Sequence, residues 1–252
     1  MADAITLDSV MKRYGDKVAV ENLSLSVPAG ELFAFLGPNG AGKTTTIKMI
    51  AGLLLPNQGT VSVCGHRMGT DGLLAKAQLA YVPDQPFLYE KLTGREFLHF
   101  VSDMYRIDPR ERDPRIALLI ERLDMSTFLD RLTGGYSHGM KQRVVLAAAL
   151  LHQPRVLVID EPMIGLDPKT VRTVKDLFVE ITRSGGAVFM STHTLEVAEA
   201  VADRIGIIDH GRLIAVGTLA ELRAGSTRQH TLEAIFLELT EPAATEGARP
   251  AT

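Results

Sequence analysis

A single cysteine, Cys64, leaves no partner for an intramolecular disulfide and excludes a disulfide-stapled scaffold. Long apolar runs are also missing. The longest, VVLAAALL from Val144 to Leu151, is far short of the roughly 20 residues that cross a bilayer, so any membrane role needs a partner. The start, MADAITLDSVMKRYG, lacks the basic opening and apolar stretch of a signal peptide, and the chain is expected to be cytosolic. Nor is there a basic surplus: 27 Lys and Arg against 30 Asp and Glu give a net charge of -3 and no global field for a polyanion, so no nucleic-acid partner is expected. No internal repeat is visible. Residues 240–252, TEPAATEGARPAT, hold no apolar side chain larger than alanine and are expected to form a disordered tail.

What is present suits one α/β domain with room for a smaller lobe: 252 residues, 46% apolar and 23% charged. Strand signals occupy Ile5 to Val10, Leu23 to Val27, Leu32 to Leu36 and Val61 to Cys64. The period then changes. Thr93 to Glu96 is a T-x-x-E capping box opening a helix whose inner face is expected to carry Phe97, Phe100, Val101 and Met104. Asp113 and Pro114 are expected as the N-cap and first residue of a second helix bearing Ile116, Leu119, Ile120 and Leu123. After it, VLVID, AVFMS and RIGIIDH are apolar runs without alternation, as buried parallel strands require, and a helix from Pro168 to Arg183 separates the first two.

Between LFAFL and a stretch with helical spacing at Ile47, Ile50 and Leu54 lies GPNGAGKT, the pattern GxxxxGK[ST] with Gly37, Gly42, Lys43 and Thr44. Glycines let backbone N–H groups face a phosphate, and the helix N-terminus adds a favourable dipole. Lys43 is expected on the β- and γ-phosphates, and the Thr44 hydroxyl on Mg²⁺. A turn that binds nothing would leave Lys43 without a role. The strand VLVID ends in Asp160 and Glu161, which divide the remaining work: Asp160 orients the metal and Glu161 polarises the water attacking the γ-phosphorus.

In this order the motifs resemble the ATP-binding subunit of an ATP-binding cassette (ABC) transporter over about residues 5 to 225, most nearly the cassettes of drug or polysaccharide exporters encoded apart from their permeases. The resemblance implies an α/β fold with a RecA-like P-loop core, an antiparallel β lobe and a helical lobe inserted near residues 86–153, then a C-terminal helix at 226–239 before the tail. It implies ATP with Mg²⁺ as cofactors, and a nucleotide site made by Tyr14 stacked on adenine and by Gly37, Pro38, Asn39, Gly40, Ala41, Gly42, Lys43, Thr44 and Thr45. Thr44 and Asp160 take the metal, and Glu161 and the switch histidine His193 are catalytic.

The family's LSGGQ signature reads YSHGM here: Ser137 and Gly139 match, while His138 and Met140 replace a Gly and the Gln. Ser137 can cap a helix whose N-terminus faces ATP held by another subunit. With one phosphate loop per chain, two cassette subunits, alike or different, are implied for two composite sites. GLDP matches the D-loop, in which Asp167 communicates across the dimer and also suits an N-cap before Pro168. At the Q-loop the family's glutamine position holds Asp84, with Gln85 next, and either can fill the role. The segment beyond it docks the membrane subunit, with Phe87, Leu88 and Tyr89 either lining that groove or packing into the core. The implied function is ATP-driven translocation, in the export direction, through a separate permease at the inner face of the cell membrane. An importer cassette, a soluble non-transport cassette ATPase and a nucleotide-binding regulator are the alternatives.

Overall fold

The computed structural model describes residues 3–225 and 231–240. In chain order the elements are β1 (Asp3–Tyr14), β2 (Lys17–Pro28), β3 (Leu32–Leu36), α1 (Lys43–Ile50), β4 (Gln58–Val63), β5 (His66–Arg67), α2 (Gly72–Ala77), β6 (Leu79–Val82), α3 (Gly94–Met104) and α4 (Pro109–Arg122). A 3₁₀ turn at Thr133–Gly135 leads into α5 (His138–Leu150), followed by β7 (Val156–Asp160), α6 (Pro168–Arg183), β8 (Ala187–Thr192), α7 (Leu195–Val201), β9 (Arg204–Asp209), β10 (Arg212–Gly217), α8 (Leu219–Gly225) and α9 (Leu232–Thr240).

The strands form two sheets. One is antiparallel with order β2-β1-β4-β5; the other runs β10-β9-β3-β8-β7-β6, parallel except at the β10 edge. Every residue of β3, β7 and β8 is buried, which is why their sequences show no polar alternation. Their side chains nevertheless alternate between two cores. Leu32, Ala34 and Leu36 join Leu157, Ile159, Val188 and Met190 against the helices on one face. Phe33, Phe35, Val156, Val158 and Phe189 face the antiparallel sheet and α1, where Phe33 and Phe189 stack at 5.5 Å. The central sheet is thus covered on both sides, by helices and by the second sheet. Its register sets Asp160 beside Ser191 and Leu36 beside Thr192, so the turns after β3, β7 and β8 meet at one edge.

Three helices, α3, α4 and α5, lie between β6 and β7. The capping box is as expected: Thr93 accepts the Glu96 N–H, and Glu96 accepts the N–H of Thr93. The inner face of α3 is so only in part: Phe97 and Val101 pack against the core, whereas Phe100 and Met104 do not. Leu98 and Ser102 are fully buried, Phe97 and Val101 half-buried, and Phe100 and Met104 exposed. The fully buried line is offset by about one residue from the one expected, and its polar member, Ser102, donates its hydroxyl to the Leu98 carbonyl. The start of α4 also differs. Asp108 caps it, accepting the Arg110 N–H at 2.8 Å, with Pro109 at the first turn, while Pro114 sits inside the helix and Asp113 pairs with Arg112. The segment DPRERDP holds two Asp-Pro pairs, and the helix extends to the earlier one.

Asp167 caps α6 as expected, accepting the Thr170 N–H at 3.0 Å before Pro168. β6 and β10, which carry no separate expectation, complete the edges of the parallel sheet. At the C-terminal end α9 begins at Leu232 and includes Thr240; residues 226–230 of the expected helix and 241–252 of the expected tail lie outside the described residues.

Candidate active site

A cleft of about 440 Å³ opens at the edge where β3, β7 and β8 end. The loop from Gly37 through Pro38, Asn39, Gly40, Ala41 and Gly42 joins β3 to α1 along one wall. Gly42 has φ +112°, and a Cβ there would stand 2.6 Å from the Ala19 carbonyl oxygen, so neither backbone nor space admits a side chain. No side chain caps α1 and no acid lies in its first turn. Its leading N–H groups and the positive end of its dipole are therefore left for an anion.

Lys43 opens that helix and is only 8% exposed. Its Nζ donates to the carbonyls of Gly37 at 2.6 Å and Pro38 at 3.1 Å. Burial lowers its pKa from the ordinary lysine value, opposed by the carboxylates of Glu161 and Asp160. A dehydrated cation bonded to two neutral carbonyls gains a charged partner when a phosphate arrives. Next to it, Thr44 Oγ1 donates to Asp160 Oδ2 at 3.0 Å, while Ser191 Oγ donates to Oδ1 of the same carboxylate. Asp160 is 2% exposed, and both of its oxygens are engaged. Ser191 was not among the expected site residues; its place beside Asp160 follows from the β7–β8 register, which no local pattern announces.

Glu161 follows with φ +52°, an uncommon conformation for a residue with a side chain, costing on the order of 1–2 kcal/mol. Its N–H donates to the Ser191 carbonyl at 3.1 Å. This kink turns the carboxylate into the cleft, where Oε1 lies 2.7 Å from His193 Nδ1. The two side chains are thus within hydrogen-bond distance of each other at the head of the cleft. Thr45 lines the same wall, and Tyr14, at the end of β1, stands half-exposed at the mouth with Lys17 and Ala19.

Of the two Q-loop candidates, Asp84 lines this cleft and Gln85 does not. Asp84 Oδ1 accepts the Gln85 N–H at 2.7 Å. Gln85 instead borders a second groove of about 520 Å³, shared with Asp84, Pro86, Tyr136, His138, Lys141 and Ile164. Ser137 caps α5, accepting the Met140 N–H at 3.3 Å, and Gly139 is buried two residues on. Neither lines the cleft of its own chain. Asp167 is exposed at the head of α6, its carboxyl held below the usual range by its bonds to Thr170, with Arg143 3.9 Å away.

The donor set beside the phosphate loop suits Mg²⁺. Thr44 and Asp160 offer a hydroxyl and a carboxylate, the hard oxygens that this ion accepts alongside substrate phosphates and water. Among the described residues no group of three or more His, Cys, Asp or Glu could hold a metal by itself, so the cation fits as a companion of the nucleotide.

Comparisons with known proteins agree with this geometry. Residues 20–164 match the family described as "ABC transporter", and a second description, "AAA domain, putative AbiEii toxin, Type IV TA system", matches only residues 133–199. The chain is 39% identical over 213 residues to Nod factor export ATP-binding protein I of Burkholderia orbicola (strain AU 1054), covering 84% of this chain and 70% of that protein. A solved ATP-binding subunit of an ABC transporter superimposes with a TM-score of 0.89 at 33% identity, covering 94% of this chain and 99% of the other. An ATP-binding cassette solved as a dimer in a post-hydrolysis state with ADP and Pi gives 0.76 at 26% identity, covering 85% of this chain and 98% of its own. No helix among the described residues is long and apolar enough to cross a membrane, in keeping with a family whose cassettes dimerise and work with membrane permease components. With the family match spanning more than half of the chain and enclosing the phosphate loop and both acids at the end of β7, the chain belongs to the ATP-binding subunits of ABC transporters and is an ATPase.

Proposed function

We propose that the cleft holds ATP with its adenine against Tyr14, its β- and γ-phosphates between Lys43 and the N-terminus of α1, and the backbone from Gly37 to Thr45 around them. Thr44 and Asp160 would hold Mg²⁺, which would supply charge neutralisation at the phosphates. Glu161 accepts a proton from the attacking water. His193, bonded through Nδ1 to that carboxylate, fixes its direction and leaves Nε2 for the γ-phosphate side. Asp84 lines the same cleft, while Asp160 and Ser191 are held by hydrogen bonds before substrate arrives, so little reorganisation is needed there. The observation that carries this reading is the junction at the end of β7: Asp160 is tied to Thr44 at 3.0 Å, and the next residue, turned by its positive φ, meets His193 at 2.7 Å.

Ser137 and Gly139 lie outside the cleft of their own chain, which supports two composite sites, each completed by the signature of a second cassette subunit. The cassette domain is read as residues 5–225 with the helical lobe at 86–153. The export direction rests on the likeness to a Nod factor export ATP-binding protein. A separate permease at the cytoplasmic face is supported by the surface after the Q-loop: Phe87 is 73% exposed and Tyr89 half-exposed, edge-to-face with each other, and Tyr89 is also edge-to-face with Phe100, whereas Leu88 is buried at 4% and packs into the core.

Glu161→Gln tests the reading. The variant keeps Lys43 and Thr44, so it is expected to bind ATP, to lose nearly all turnover and to accumulate as a closed dimer on size exclusion with ATP and Mg²⁺. Normal hydrolysis, or a variant that stays monomeric at high concentration, would remove Glu161 from the mechanism.

A further inference from the structure

The turn that follows Glu161 and the start of α5 interlock through two glycines. A Cβ on Gly165, which has φ +73°, would stand 2.5 Å from Cδ2 of His138, 3.3 Å from Cγ and 3.5 Å from Nε2, so the imidazole occupies the hollow that the missing side chain leaves. In the other direction, a Cβ on Gly139 would stand 2.6 Å from the Gly165 carbonyl oxygen. Consecutive signature residues thus grip one glycine from both sides. The grip has a firm base. Tyr136 is buried, its hydroxyl lies 2.8 Å from the Phe128 carbonyl, and it accepts the Gly94 N–H at 3.2 Å, so the start of α5 is fixed within the helical lobe. The other end is short. Leu166 N–H donates to Met163 and Ile164 N–H to Glu161, both at 3.4 Å, so the segment from Glu161 to Leu166 is two tight turns in succession. A shift at Gly165 therefore reaches Glu161 with little chain to absorb it.

We propose that His138 is a positioning residue for ATP hydrolysis: its ring, seated in the hollow at Gly165, holds the 161–166 turn and Glu161 at its head against the start of α5. The glycine that the family's signature carries at this place has no side chain to fill that hollow. The ring acts by shape, and no proton moves on it. The assignment rests on the role proposed above for Glu161.

The test is steady-state ATPase of the full chain with ATP and Mg²⁺, with binding of a fluorescent ATP analogue and thermal unfolding measured alongside. His138→Ala is expected to lower kcat about fivefold to tenfold with KM within about twofold, because the loss falls on the transition state rather than on nucleotide binding. His138→Phe, which keeps a flat ring, is expected to retain kcat within about twofold of the parent, since shape-conserving replacements are tolerated best. Gly165→Ala drives a methyl into the ring and is expected to lower kcat at least about tenfold; in a His138→Gly background the same change is expected to cost at least about fivefold less. The backbone strain of alanine at φ +73° is common to both backgrounds and cancels in the comparison. Independent, additive effects at 138 and 165, wild-type kcat in His138→Ala, or a His138→Phe as slow as His138→Ala would each overturn the proposal. Glu161→Gln is run in the same series. If it hydrolyses normally, the reading of the site falls and this assignment with it; if it is inactive while 138 and 165 are additive, only the role of His138 falls.

Discussion

Asp84 stands between two grooves, and its neighbour Gln85 in only one of them. Moving Gln85 into the nucleotide cleft would require a backbone change in a loop flanked by Pro83 and Pro86, whose fixed φ angles resist it. Under the proposed reading, a carboxylate at this place would organise Mg²⁺ through water, an effect felt chiefly in the transition state. Asp84→Ala is therefore expected to lower kcat about tenfold with KM changed less than about threefold, and Gln85→Ala to remain close to the parent. Steady-state ATPase of the two single variants decides between them, and the reverse order would move the Q-loop role to Gln85. At this scale local pattern served well. Lys43, Thr44, Asp160, Glu161 and His193 each stand within or beside a motif whose chemistry dictates the residue type, and all five line one cleft. Ser191 was not legible, because it reaches Asp160 only through pairing of strands about 30 residues apart in sequence.

The helical elements carry a pH dependence of their own at the joint where α3, α5 and β6 meet. His152, just past α5, stacks on Tyr105 at 3.9 Å, and its Nε2 lies 3.2 Å from the Leu79 carbonyl, while Nδ1 is buried with no hydrogen-bond partner. Burial lowers its pKa from the ordinary 6.5, so the folded chain keeps the ring neutral where the unfolded chain protonates it. Over that window the unfolded state binds more protons, and stability rises with pH; it is lost as pH falls from 6.5 toward the depressed folded value. His152→Phe preserves the stack and removes the titration. Thermal unfolding between about pH 7 and pH 5 should fall less steeply for the variant than for the parent, and parallel declines would show that His152 contributes no linkage. These helices also mark where periodicity stops deciding. In α3 the expected face of Phe97, Phe100, Val101 and Met104 and the Leu98–Ser102 line both satisfy helical spacing, and packing in the helical lobe buries Leu98 and Ser102 fully, Phe97 and Val101 by half, and leaves Phe100 and Met104 outside. In α4 both Asp-Pro pairs make chemically sound caps, so the choice of Asp108 depends on how far the helix extends along its neighbours rather than on the caps themselves.

For the whole molecule, the distribution of motifs between two faces is the main consequence of the fold. Ser137 and Gly139 sit at the head of α5, away from the cleft that holds Lys43, so one chain supplies half of each of two sites under the composite reading. Ser137→Arg is expected to abolish turnover while nucleotide binding survives, because bulk and charge at the signature obstruct the opposing phosphate and leave the chain's own cleft untouched. Lys43→Ala loses the phosphate contact and keeps its signature. Mixing the two should restore about one working site per mixed dimer, as two-fold pairing of unlike subunits demands. Absence of recovery in mixed dimers of demonstrated composition would exclude sites shared between chains.

The phosphate loop, the acids at the end of β7, the caps of α3 and α6 and the two-layer character of the central strands were settled locally, because glycine conformations, carboxylate chemistry, capping and burial on both faces each constrain residue type over a few positions. The stripe of α3 that faces inward, the cap of α4, the burial of Leu88 between two exposed aromatics, the bond from Ser191 to Asp160 and the seat of His138 on Gly165 depended on surfaces that meet only after the chain has closed on itself. In each of these cases more than one arrangement satisfies the local rules, and packing against a distant segment selects among them.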